Sequence, residues 1–289
     1  MKKFLLLFLI LVVGATSCNS VQISSDEWKI QSSSHSSSET TIKVPVNWNV
    51  MKIANYTSAD IEYSEKTDGE VIVKGPSDVI DKINIEERGV TLTIRVRSDV
   101  GRVDLSGVKI KVCLPEVNEV TLYGSGDFRA ERMLAASLEL NILGSGDIIA
   151  GTMDCTSMKL SIRGSGDVTV EKILGTTIQF LTQGSGDINV KKIDATRMTT
   201  QVQGSGDVRV DRLTCARAEA LVQGSGDVSY HGLDATTLQA TVQGSGDIEA
   251  DGKVLSATLV TQGTGSIKAR KLKCDGVSKN KQGTGDIII

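Results

Sequence analysis

Aromatic residues make up only 3% of the 289-residue chain, and proline occurs three times, at Pro45, Pro76 and Pro115. Compact cores usually draw on large rings. A core left to Val, Ile, Leu and Ala points instead to thin, layered packing. The long stretch without proline suits unbroken strand ladders, which a proline would interrupt. Histidine is almost absent: His35 and His231 are the two in the chain, and no Cys-x-x-Cys or Cys/His cluster exists. A zinc site therefore lacks its ligands. Basic and acidic residues nearly balance, 32 against 35, and no basic stripe stands out. Nucleic acid is thus not an expected partner.

The N-terminus has the layout of an export signal. Lys2 and Lys3 precede an apolar run from Phe4 to Val13, then Gly14-Ala15-Thr16-Ser17 and Cys18. The run is too short for a comfortable membrane span. Ala15-Thr16-Ser17-Cys18 resembles a bacterial lipobox, in which the cysteine thiol takes a diacylglyceryl group. Residues 1–17 are accordingly expected to be a lipoprotein signal peptide, and Cys18 a lipid anchor in a Gram-negative envelope, with the outer membrane as the expected site. Several acyl chains together make such an anchor stable. Residues 18–40 are serine-rich, hold His35, and are expected to form a solvated tether.

What dominates the rest is a repeat. Gly-Ser-Gly-Asp begins at Gly124, Gly144, Gly164, Gly184, Gly204, Gly224 and Gly244, and variants begin at Gly263 and Gly283. The step is 20 residues except for one of 19, and the motif holds 18 of the 29 glycines. A fixed period of this length signals a solenoid. With the first Gly as position one, positions five and seven are apolar, as in Ile188 and Val190. Positions fifteen, seventeen and nineteen alternate again, as in Leu138, Leu140 and Ile142. Period two means strands. The expectation is an all-β parallel β-helix of about 20 residues per coil over residues 123–289. At roughly 4.8 Å per rung it is a rod on the order of 40 Å long. The glycine pair is expected to supply positive φ at each corner, and Ser and Asp to bond local amides as in Asx-turns.

Stacking gives each position a ladder. Asp127, Asp147, Asp167, Asp187, Asp207, Asp227, Asp247 and Asp286 form one. Stacked carboxylates repel, so backbone amides must neutralise them or a cation must sit between them. Hard cations such as Ca2+ want six to eight oxygens, which one turn per coil supplies poorly. The ladder is therefore read as structural, with no metal site and no cofactor, Ca2+ being the minor alternative. The residue before each motif is Gln in Gln183, Gln203, Gln223, Gln243, Gln262 and Gln282, which predicts an amide ladder. Cys155, Cys215 and Cys274 share position twelve, about 14 Å apart by rung spacing. That is too far for disulfides, so they read as small buried side chains. Cys113 lies outside the repeat.

Residues 41–122 are strand-rich but irregular, with Leu92 to Val96 and Val108 to Val112 as clear alternations. They are expected to form either degenerate coils or a cap over the solenoid edge. Through Glu70-Val71-Ile72-Val73, Val108 to Pro115 and the repeated Gly-Ser-Gly-Asp, residues 41–289 resemble the "head GIN" domain family of adhesin-like bacterial lipoproteins. The resemblance implies a right-handed β-helix, an envelope location and no catalytic residues. The expected function is a non-catalytic adhesion or binding module that meets a glycan or envelope protein through stacked faces. The alternative is a periplasmic scaffold, with a polysaccharide lyase or hydrolase behind both. The apolar Ile287-Ile288-Ile289 in an incomplete ninth coil predicts end-to-end homodimers.

Overall fold

The computed structural model describes residues 39–289. The expected signal peptide, Cys18 and nearly all of the expected tether lie outside the described residues. The first strand, β1 (Glu39–Pro45), starts two residues before the expected head. It is followed by β2 (Lys52–Asn55), β3 (Asp60–Glu65), β4 (Glu70–Pro76), the short α1 (Ser77–Ile80), β5 (Ile83–Arg88), β6 (Thr91–Val96), β7 (Lys109–Leu114), β8 (Glu119–Leu122) and β9 (Phe128–Ile142). From β9 onward the chain is a parallel β-helix whose register slips only around the 19-residue coil, at Tyr230/Leu233 and Glu249/Asp251. Phe128 lies beneath Ile148, Ile148 beneath Val168, and Val168 beneath Ile188.

Each coil has two faces. Face one holds positions five to ten and face two holds positions fifteen to nineteen, and through coil seven both bury their inward residues. At position seventeen these are Leu140, Leu160, Phe180, Thr200, Ala220 and Ala240. Their sizes vary, and the opposite face compensates. Where position seventeen shrinks to Thr200 and Ala220, position seven grows to the fully buried Tyr230. The Tyr230 hydroxyl donates to Thr200 Oγ1 at 2.6 Å and also meets the Glu219 carbonyl. A thin solenoid thus reaches interior density by pairing large with small side chains across the gap.

The head is partly coil and partly cap. On face one, β3 runs parallel to β9 and β7, and β4 and β1 then add antiparallel. On face two, β2 runs parallel to β8 and β6, and β5 closes the edge antiparallel. β2, the turn after it and β3 therefore make a coil zero of two faces and one corner, stacked in line with the repeats. The outer hairpin partners cover what would otherwise be an open edge.

Candidate binding stripes along the solenoid

The glycines at the corners serve a purpose other than the one expected. None of the repeat glycines is among the positive-φ residues. They are needed because the turns stack backbone on backbone: a Cβ on Gly204 would lie 2.0 Å from the Gly184 carbonyl oxygen, and one on Gly206 2.0 Å from that of Gly186. The close approach lets Ser205 N–H bond the Gly184 carbonyl at 3.0 Å.

The Asp ladder is also directed across coils and not into local turns. Asp127 Oδ1 accepts the Asp147 amide at 3.0 Å, Asp147 Oδ1 that of Asp167 at 2.8 Å, and Asp167 Oδ1 that of Asp187 at 2.8 Å. The pattern continues through Asp187, Asp207 and Asp227 at 2.7 Å each. Asp247 caps Ser266, whose hydroxyl accepts the Asp286 amide. Each carboxylate from Asp127 to Asp247 is thus held by a backbone N–H of the next coil, a charge-assisted bond, which offsets the repulsion along the stack. Sequence reading missed the first member: Asp60 Oδ1 accepts the Asp127 amide at 3.0 Å. Thr57-Ser58-Ala59-Asp60 is a small-Ser-small-Asp turn followed by the alternating Ile61 and Tyr63, and that was the signal available.

The residues preceding the turns form one exposed stripe. Gln183 Nε2 donates to Gln203 Oε1 at 2.7 Å, and the chain of amides runs through Gln223, Gln243 and Gln262 to Gln282. Arg163 starts it by donating from Nε to Gln183 at 3.1 Å. Toward the head the stripe continues as Leu143, Tyr123 and Tyr56. The two tyrosine rings stack with centroids 4.1 Å apart and planes 3° from parallel, and the Arg95 guanidinium covers Tyr56 at 5.9 Å. Both tyrosines and Leu143 are exposed.

The groups that resemble chemistry are held quiet. Burial pushes the Cys155 and Cys215 thiols up to about 11, with Asp154 and Asp234 adding to it. Cys113, Cys155, Cys215 and Cys274 are all free thiols. His231 Nδ1 meets Asp251 Oδ2 at 2.9 Å, and Asp251 Oδ1 accepts the Gly232 amide at 2.8 Å. This pair sits where the 19-residue coil is accommodated. Gly252 aligns with Leu233, and φ is +52° at Gly232 and +120° at Gly252. The dyad closes an irregular turn, with the carboxylate of Asp251 shared between His231 and the Gly232 amide. Among the described residues no group of three or more His, Cys, Asp or Glu is placed to hold a metal ion.

Fold and stripes define a parallel β-solenoid with a capped N-terminal edge. The chain belongs to the family described as "Putative auto-transporter adhesin, head GIN domain", whose model matches residues 47–232 and 210–289. Solved structures share the fold. A "putative adhesin" from Parabacteroides merdae is 16% identical, with 87% of this chain and 96% of that one covered and a TM-score of 0.64. A "putative adhesin" from Bacteroides fragilis is 20% identical, with 87% and 97% covered and a TM-score of 0.57. A "putative lipid binding protein" from Parabacteroides distasonis is 24% identical, with 87% and 96% covered and a TM-score of 0.57. No curated protein matches the chain. The family and these neighbours are named for adhesion or lipid binding, not for an enzymatic activity.

Proposed function

We propose that the chain is a non-catalytic envelope lipoprotein, anchored through Cys18, that works as an adhesion or binding module for a repetitive ligand such as a glycan. The observation that carries this reading is the exposed stripe of Tyr56, Tyr123, Leu143, Arg163 and the Gln ladder from Gln183 to Gln282. From Arg163 onward it presents one polar group per rung at a spacing of about 4.8 Å. Gln183, Gln203, Gln243 and Gln262 each spend one N–H and one lone pair on neighbours in the stripe, which leaves the others for a ligand, while Gln223 Oε1 accepts from both Gln203 and Gln201. Membership in an adhesin-named family supports the same reading, as do the raised thiols and the self-contained His231–Asp251 pair.

The test has two arms. Protease shaving and antibody labelling of intact cells should find the solenoid exposed; protection until the outer membrane is broken would favour the periplasmic scaffold. A glycan array should then return linear ligands whose binding falls when Gln203 and Gln223 are replaced by Ala. Turnover of any arrayed polysaccharide would replace the module with an enzyme.

A further inference from the structure

Coil eight differs from every coil before it. It carries Lys268, Arg270, Lys271, Lys273, Lys279 and Lys281 against Asp275 alone, whereas no earlier coil has a basic excess greater than one. Two of these lysines stand at unusual registers. Lys279 pairs with Leu259, and Lys281 with Thr261. Those registers are interior in all earlier coils, from Leu140 to Leu259 and from Ile142 to Thr261. A charge at such a register resists being covered by another apolar coil. On face two the apolar interior therefore ends with coil seven, and both lysines are exposed, while face one continues through Ile267 and Leu272 to Ile287.

Neutralisation is incomplete. Lys268 pairs with Asp247 at 2.6 Å and Lys281 with Asp286 at 2.8 Å. Lys271 lies opposite Asp251. Among the described residues Arg270, Lys273 and Lys279 have no acidic partner. Two aliphatic side chains also face solvent, Leu255 of coil seven at 59% exposure and Val277, two residues before Lys279, at 40%. Leu255 and Lys273 line the same shallow depression.

We propose that coil eight is a docking surface for an anionic phospholipid membrane. Its lysines and arginine meet headgroup phosphates while Leu255 and Val277 enter the interface. Unpaired basic side chains gathered around exposed aliphatic ones are the chemistry of interfacial attachment, and long lysine stems let both parts act together. A second copy of the chain joined through this same coil fits less well, because it would bring two surfaces of like charge together.

The test is cosedimentation of the full chain with vesicles of phosphatidylcholine alone or mixed with phosphatidylglycerol. Any contribution of the N-terminal segment to neutral vesicles is read in the first set and subtracted. The expected result is at least about tenfold tighter binding to anionic vesicles, lost in Lys273→Glu/Lys279→Glu and weakened in Leu255→Ser/Val277→Ser. Unchanged circular dichroism melting of both variants shows that the fold is intact; if the first variant melts early, Lys273→Gln/Lys279→Gln takes its place. Equal binding to both vesicle types overturns the proposal. So does complete displacement by soluble polygalacturonate, which would make the ligand an anionic polysaccharide. Concentration-dependent dimers that vanish in the lysine variant would give the surface to a second copy.

Discussion

Coil zero and the coils above it solve one turn in two ways. In the repeats, the amides of positions two and three reach down to the carbonyl of the coil beneath, as Ser225 and Gly226 do to Gly204. The coils sit so close there that a Cβ has no room. Beneath coil zero the chain leaves the corner by a longer connection, residues 97–108, in place of the four-residue turn. Side chains then take over from the missing carbonyls. Thr57 N–H and its hydroxyl bond Asn55 Oδ1 at 3.0 and 2.7 Å, Ala59 N–H bonds Thr57 Oγ1 at 3.1 Å, and Asn55 Nδ2 donates to the Ala59 carbonyl at 3.0 Å. Asn55 is fully buried. Glycine is thus demanded by the neighbour below and not by the turn itself, which is why Thr57 and Ala59 can stand where every later coil has Gly.

The largest effect should come from breaking that rule in the repeats. Gly204→Ala forces a methyl into the Gly184 carbonyl and should cost about 4 kcal/mol or more of unfolding free energy. Ala59→Gly in coil zero should cost less than about 1 kcal/mol; paired denaturant titrations give both values. A comparable loss at the two sites would defeat the comparison.

Next comes the head's own device. Asn55→Leu leaves the Thr57 amide and the Ala59 carbonyl buried without partners. It should cost about 2–3 kcal/mol, read from the same titrations. Hydrogen exchange should quicken first in β2 and β3, with coils three to six unaffected.

Acid should act at the other end. Burial pushes the Asp247 carboxyl up, but hydrogen bonds from Lys268 and the Ser266 amide bring it below the ordinary value. At Asp251, burial is likewise outweighed by His231 and the Gly232 amide. A carboxylate whose folded pKa is depressed stabilises the fold fully above its unfolded value of about 3.9. That stabilisation is lost as pH falls through the folded value. Melting temperature should therefore drop below about pH 4, and Asp247→Asn/Asp251→Asn should show a shallower drop from a lower starting point. An equally steep drop in the variant would remove these two carboxylates as the cause.

The smallest effect is expected on the exposed stripe. Gln223→Ala removes amide bonds to Gln201, Gln203 and Gln243, yet all three bonds lie at the solvated surface. A loss of about 0.5 kcal/mol is expected in chemical denaturation. A loss several times larger would mean that the stripe is a structural spine, which would weaken its assignment to ligand contact.

Much of this was legible beforehand because a repeat reports its own geometry. The 20-residue step fixed the coil length, the period-two alternation fixed the inward side chains, and the Gln placed directly before each turn from Gln183 on implied its ladder. The head was harder to read. Its strands pair with partners far away in sequence, as β3 does with β7 and β9, and one degenerate copy of the turn gives no period to detect. Lys279 and Lys281 fall at positions seventeen and nineteen, so the sequence marked them as charges at inward registers, but not which side chains lack a partner around them.

By itself the sequence determined the solenoid, because identical turns at identical spacing stack in only one register. It also determined which residues are inside, because strand alternation permits one apolar face. Only the tertiary structure decided why the glycines are there, where each carboxylate points, and that Asp60 begins the ladder. Those are contacts between neighbouring coils, set by backbone separations of a few ångström across the stack, and a chain written in one dimension carries the residues that make such contacts but not the distances between them.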